Sequence, residues 1–477
     1  MRTTTFRRTA AGLLMTLFTA TAAAAQQPSP QPITAAAAVP PSDTAKLVDE
    51  LAARIDELDQ QLRVLQRKLE IEKEQSADKA KVTPTVVAGR EGYAVRSADG
   101  DFQLKFRGYV QADSRFVGDG DGTSGPTNFV LRRVRPVLEA TAFKLFDFKL
   151  MPDFAGGTTV LQDAYADLKF VPWLKVRAGK FKGPFGLERL ESATELTFVE
   201  RGAPTNIAPN RDLGVMAFGD LASERIAYQV GIFNGVVDGG STDSDDHSGK
   251  DFEGRLFFQP FKTSKSDTFK QLGVGVAATD GSQRGTLTQP NLPTYKTAAQ
   301  QTSFRYRSDT TAEGTSLADG RHWRVGPQAY YYVGSVGLLT EYYVSSQRVR
   351  RGTTRADVQA TAWQISGQWA LTGEKESARG IVSPRHNFDR SNGGWGGFEL
   401  TARFSQLVVD DSAFPFYANP SVAAKTANDS VVGVNWFLNK FVKLTGQYEN
   451  ITFDGGAPNG GDRPAERGVF TRVQFAF

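Results

Sequence analysis

From Phe102 to the C-terminus, apolar and polar residues of this chain alternate with a period of two. Phe102, Leu104, Phe106, Val110 and Ala112 are interleaved with Gln103, Lys105, Arg107, Gln111 and Asp113. Successive side chains of an extended strand point to opposite faces, so this pattern sets an apolar row against a charged row. It returns in Leu174, Val176 and Ala178 against Lys175 and Arg177, in Leu272, Val274, Val276 and Ala278, and in Phe398, Leu400, Ala402 and Phe404 against Glu399, Thr401 and Arg403. Roughly 16 such segments of about 10 residues follow one another between Gly, Asp, Asn and Ser turns. A soluble sandwich also alternates, but it keeps its apolar rows inside and has no reason to gather Tyr330, Tyr331, Tyr332, Tyr342 and Tyr343 at strand ends. The pattern predicts an all-β fold over residues 100–477: a 16-stranded antiparallel transmembrane β-barrel, apolar toward lipid and polar toward its lumen.

The rest of the chain agrees with export to a membrane. After residue 25 no apolar run reaches the roughly 18 residues a spanning helix needs, and the mean hydropathy is −0.35. A membrane span must then be a closed barrel. Arg2, Arg7 and Arg8 precede the apolar run Ala10 to Ala20, and Ala23 and Ala25 supply a small-x-small cleavage site before Gln26. This predicts a signal peptide over residues 1–25. Residues 26–42 are rich in Pro, Ala and Gln and read as a disordered linker. Val48, Leu51, Ile55, Leu58, Leu62, Leu65 and Leu69 then recur at spacings of three and four, the a/d pattern of a coiled coil, which predicts a self-associating periplasmic helix over residues 43–75. Its β-branched Val48 and Ile55 permit a dimer or a trimer. Residues 76–99 read as a second linker. At the other end, Val469, Thr471, Val473, Phe475 and Phe477 close the chain on an aromatic residue, resembling the recognition signal of bacterial outer-membrane barrels.

Several chemistries are disfavoured. The chain has no cysteine, which removes thiol catalysis and thiolate metal sites. His247, His322 and His386 lie in no metal-ligand spacing, so neither a metal nor a cofactor is expected. No nucleophile and base stand at a plausible spacing, an enzyme is not expected, and nucleic acid is not an expected partner. The formal charge of +4 falls to about +1 without Arg2, Arg7 and Arg8, so any preference for anions must come from where the cations sit.

Cation doublets at strand spacing supply the candidates: Lys105 and Arg107, Arg133 and Arg135, Lys175 and Arg177, Lys180 and Lys182, Arg305 and Arg307. Residues i and i+2 share a face, so each doublet is expected to put two cations in the lumen. Adjacent Arg132 and Arg133 should instead point to opposite faces, and alternation alone does not say which one faces inward. Between about residues 183 and 212 the alternation breaks. This segment carries Leu187, Leu190, Leu196, Phe198 and Val199 together with Arg189, Arg201 and Arg211, and it is expected to fold inward as a constriction loop.

The runs FVLRRVRP (129–136), FKLMPDF (148–154), DAYADLKF (163–170), KFKGPFGLERL (180–190), NRDLGV (210–215), LTGE (371–374), GGFELTARFSQL (396–407) and VGVNWFLN (432–439) resemble those of the phosphate-selective porins of the O/P type. The resemblance covers about residues 100–477. It implies a homotrimer of 16-stranded barrels in the bacterial outer membrane, surrounded by lipid and lipopolysaccharide. It also implies passive conduction of small anions, phosphate or related oxyanions foremost, through an arginine- and lysine-lined constriction. By that resemblance Arg201 is the central arginine of the constriction loop, Arg189 stands at a family lysine, and Asp163 is the central acidic residue that positions the arginines. Arg132 and Arg133 form the strand doublet, Lys105 matches a lumenal lysine, and Arg305 and Arg307 resemble an upper R-x-R pair. With Arg107 these form the expected anion path. The sequence departs from the family where Tyr109 stands at a ladder arginine and where a Thr/Ser/Ala stretch fills Asp309 to Asp319. A general or sugar-conducting porin is the alternative, with Tyr109, Tyr330 and Tyr332 as a stacking path.

Overall fold

A computed structural model describes residues 41–89, 92–118, 127–245, 249–381 and 383–477. The expected signal peptide, most of the 26–42 linker and His247 lie outside them. The described chain falls into two compact units that divide at Ala77 and Asp78.

A single α-helix begins in the first unit at Pro41 and runs to Val82, so it extends past both ends of the heptad region. Its a/d residues Val48, Leu51, Ile55, Leu58, Leu62, Leu65 and Leu69 are all more than half exposed. Pairs such as Arg54 with Glu57 and Arg67 with Glu70 decorate the other faces.

The second unit is a closed barrel. Sixteen strands, from Gln103–Gly118 to Glu466–Ala476, pair antiparallel with their sequence neighbours, and the last returns to the first from Arg467↔Gly118 to Ala476↔Tyr109. The alternation has the sign expected in lipid. On the first strand Leu104 and Val110 are 49% and 40% exposed on the outside, while Gln111 and Asp113 are 0% and 2% exposed within. Backbone pairing is completed around the ring, which removes the open edges that a hydrocarbon environment would penalise.

A short hairpin, Thr85–Gly89 with Gly92–Arg96, lies in the stretch read from sequence as the 76–99 linker. Its second strand pairs with the first barrel strand from Tyr93↔Phe106 to Arg96↔Gln103, just beyond the point where the last strand stops. Gly92 has φ +92°, and a Cβ there would stand 2.3 Å from the Phe106 carbonyl oxygen, so the position requires glycine. The terminal Phe477 exchanges both backbone hydrogen bonds with Gly108 at 3.0 Å. Its ring packs against Tyr93, Phe106 and Phe475.

At the end of the barrel that carries its termini, strands are joined by the short turns 143–145, 172–173, 222–225, 334–335 and 438–441, with longer connections at 259–270 and 371–396. Short turns mark the periplasmic rim of such barrels, and the longer loops mark the outer one.

Candidate functional site

The segment between the strands Leu174–Phe181 and Asp212–Leu221 folds into the lumen. It contains one short 3₁₀ turn, Ala203–Asn206, so most of its backbone groups need partners other than their own neighbours. The barrel wall provides them in sequence. Gln111 Nε2 donates to Ala193 O at 2.8 Å, Gln474 to Thr194 O at 3.0 Å, Lys443 Nζ to Leu196 O at 2.7 Å, and Asn435 to Thr197 O at 2.9 Å. Val199 N donates to Gln447 Oε1 at 2.9 Å, and Arg403 Nη1 donates to Glu200 O at 2.8 Å. Glu341 and Tyr343 accept from Leu187 N. The apolar residues Phe185, Ile207 and Ala208 are buried with Tyr343, Val358 and Leu407 of the wall and with Tyr295 and Phe304 of the loop 285–316. These contacts leave the loop's cationic side chains facing the opposite wall.

Between that face and the strands from Gln103–Gly118 to Asp212–Leu221 lies a cavity of about 710 Å³. Eleven Lys and Arg side chains line it against three carboxylates, Asp153, Asp163 and Glu195. A second space of about 360 Å³ shares Arg107, Tyr109, Glu195 and Arg379 with the first and reaches Lys443 and Phe477 at the periplasmic rim.

The loop side of the larger cavity carries Lys182, Arg189, Arg201 and Arg211. Arg201 donates from Nε to Glu188 O and from Nη2 to Glu191 O, both at 2.8 Å. Lys182 Nζ donates to Glu191 O at 2.7 Å, and Arg189 donates to Thr205 O. Three of these four cations are thus held by carbonyls, which orient them without cancelling their charge. Burial, and then repulsion by Arg201 and Arg211, pushes the Lys182 ammonium and the Arg189 guanidinium below their usual values. The arrangement favours an added negative charge. Arg211 is the exception: its Nε donates to Asp163 Oδ1 at 2.8 Å, and Lys149 Nζ stands 2.9 Å from Oδ2.

On the facing wall Arg132 and Arg133 both point inward. The register passes from Gln111↔Arg133 to Ala112↔Leu131, which leaves Arg132 as the extra residue of a β-bulge. Strict alternation would have sent one of the two to lipid. Neither is free for a ligand in the described structure. Arg132 donates to Glu200 from Nε and Nη2, and Arg133 donates to Gln111 Oε1 at 2.7 Å with its Nη2 3.7 Å from Glu200. A second bulge, between Met151↔Asp163 and Pro152↔Leu161, brings Gln162 and Asp163 to the cavity together.

The remaining expected residues are spread along the barrel. Lys105 and Arg107 converge on Glu139 near the periplasmic rim and line the smaller space. Arg305 and Arg307 stand on the loop 285–316 and line neither space; Arg307 Nε donates to Pro415 O at 3.1 Å. Tyr109 lines both spaces and accepts from Arg135 Nη1 at 3.0 Å, whereas the rings of Tyr330 and Tyr332 pack on each other at 5.3 Å, tilted by 48°, and line neither.

Two participants escaped sequence reasoning. Glu200 sits beside Arg201 in FVER, where only the arginine drew notice. Arg379 belongs to the connection 371–396, which rises from the periplasmic rim so that Arg379 lines both spaces with its Nε 3.6 Å from Glu195. The signal for it was the length of that interruption in the alternation.

Residues 102–477 match the family described as phosphate-selective porin O and P. The chain belongs to that family. Porin O of Pseudomonas aeruginosa is 24% identical over 422 residues, covering 82% of this chain and 92% of that protein. Among solved structures, the outer membrane channel DcaP of Acinetobacter baumannii superposes with a TM-score of 0.51 at 12% identity, over 79% of this chain and 97% of that one. The anion-selective porin from Comamonas acidovorans gives 0.50 at 11% over 79% and 100%, and a trimer form of Vibrio cholerae OmpT gives 0.50 at 11% over 79% and 99%. At these identities the structural likenesses speak to the fold. Family and fold together make this porin a channel of the bacterial outer membrane and not an enzyme.

Proposed function

We propose that this porin passively conducts small anions, with phosphate and related oxyanions as the favoured class, through a constriction formed by the loop 182–211. The observation that carries this reading is the composition of the larger cavity, where eleven cations face three carboxylates and Lys182, Arg189 and Arg201 are oriented by carbonyls. Guanidinium forks suit oxyanions because they offer paired donors and stay charged. Arg201 is the central contact, with Arg189 and Lys182 beside it. Asp163 holds Arg211 and Lys149 in place, and Lys105, Arg107 and Arg379 continue the path to the periplasm. A site that passes ions must also release them, and several moderate contacts in series serve that better than one deep well. The family's description and the fold shared with a solved anion-selective porin support the reading.

By the same reasoning the working unit is a homotrimer, in keeping with the trimer form of a porin of this fold. The helix stripe from Val48 to Leu69 is a self-associating element on the periplasmic side. The sugar-porin alternative loses its stacking path, because Tyr330 and Tyr332 line neither space.

The deciding experiment is single-channel recording in planar bilayers with chloride, titrated with phosphate, on the wild type and Arg201→Ala. Block by phosphate that weakens in the variant is the expected result. No block, together with reversal potentials that show no anion preference, would remove the proposal.

A further inference from the structure

Glu200 occupies guanidinium groups that the pathway would otherwise present to a permeating anion. Its Oε1 accepts from Arg115 Nη2 at 2.8 Å and from Arg132 Nε at 2.6 Å, and its Oε2 accepts from Arg132 Nη2 at 3.2 Å. Arg133 Nη2 stands 3.7 Å from the same oxygen. Arg115 has one other carboxylate in reach, Asp113 at 3.4 Å, and Asp113 is already engaged twice by Arg472 at 2.7 and 2.8 Å. Arg132 and Arg133 line the large cavity, while Glu200 itself is 5% exposed and comes from the loop side. A carboxylate and a phosphate offer a guanidinium fork the same pair of acceptor oxygens, so the Glu200 side chain takes up the coordination an oxyanion would use.

The attachment of the loop does not depend on this side chain. The Glu200 carbonyl is held by Arg403 and the neighbouring Val199 N–H by Gln447, so the carboxylate is separable from the anchor. A fastened backbone beside an arginine-bound carboxylate describes a tethered ligand.

We propose that Glu200 is a built-in competitor for the permeating anion, a tethered carboxylate that occupies the Arg115, Arg132 and Arg133 cluster and holds the channel's affinity for oxyanions low. The inference rests on the anion-channel reading above. A permeating phosphate meets arginines already partnered, binds weakly and leaves readily. Neutralising Glu200 converts the same cluster into an open site.

The test uses the refolded full-length protein in planar bilayers, with chloride as the current carrier and inorganic phosphate as the probe. Glu200→Gln keeps the shape and removes the charge, and its half-blocking phosphate concentration is expected to fall by about tenfold or more. Glu200→Asp keeps the charge but withdraws it by one methylene, and an intermediate fall is expected. Half-block concentrations that stay at the wild-type value in both variants overturn the proposal and leave Glu200 a structural counter-ion. If Glu200→Gln does not assemble, the Asp variant decides alone by the same criterion. The wild-type reversal potential in a potassium chloride gradient reads the parent hypothesis separately. Should the wild type show no anion preference, that hypothesis fails, and the competitor then stands only if Glu200→Gln shifts the reversal potential toward anions.

Discussion

Arg132 donates to Glu200 through two nitrogens, Nε at 2.6 Å and Nη2 at 3.2 Å, and so joins the barrel wall to the inward-folded loop across the lumen. This forked pair matters for acid resistance. Burial disfavours the Glu200 charge, but Arg132 and Arg133 outweigh it and hold the carboxyl well below its ordinary value of 4.5. A carboxylate depressed in the folded state contributes stability that is fully present above its unfolded value and is lost as pH falls toward the folded one. Glu200 is therefore expected to stay ionised on its arginines through pH 4.5, with conductance unchanged, and to release them only in stronger acid. Channel recordings on a descending pH series check this, and a transition centred near the ordinary glutamate value would contradict it.

The bulge at Arg132 makes a prediction about register. Deleting Arg132 restores Ala112↔Leu131 next to Gln111↔Arg133 without moving any other side chain to the wrong face. Deleting Val134, which lies in regular pairing, inverts inside and outside for one flank of the strand. Heat-modifiable migration of the refolded barrel is expected for the first deletion and not for the second.

Arg403 fastens the loop from the opposite side, reaching Glu200 O at 2.8 Å, Asp429 at 3.0 Å and Glu449 at 3.6 Å. Arg403→Ala leaves three buried carboxylates, Asp429, Glu449 and Glu188, without this cation, a change that costs about 3–5 kcal/mol in comparable settings. The denaturation midpoint in detergent should drop accordingly, with noisier open-channel current as the loop gains freedom. Quiet current with a wild-type midpoint would mean that the other wall contacts hold the loop alone.

Gly92→Ala tests the hairpin at the periplasmic rim. The new Cβ meets the Phe106 carbonyl at 2.3 Å in a backbone conformation that L residues avoid, so the hairpin should detach while the barrel remains folded. Limited proteolysis should then cut between residues 83 and 100 several times faster, with heat modifiability intact.

The barrel was legible because its rule is local: one residue in, the next out, over sixteen strands. The positions that broke the rule were not. Nothing in the order Leu131, Arg132, Arg133 says that one of them is an extra residue, because a bulge is defined against the partner strand. Residue type and loop position single out Arg201 and Arg189 in the sequence, and both line the cavity. Glu200 has no signature of its own in the sequence, because a carboxylate takes its role there only from arginines 68 and 85 positions away. The hairpin in the expected linker was hidden by its brevity and by its dependence on Phe106 and Phe477 for packing.

The seam between first and last strands is closed by Arg472 on Asp113, residues 359 positions apart, and by Phe477 on Gly108. Every other backbone pairing of the barrel wall joins strands that follow one another along the chain and can form as those strands meet. The seam waits for the strand Glu466–Ala476. A chain interrupted at any earlier point has two unpaired edges and no lumen, so truncation yields no narrower pore, only an open sheet that the membrane will not accept.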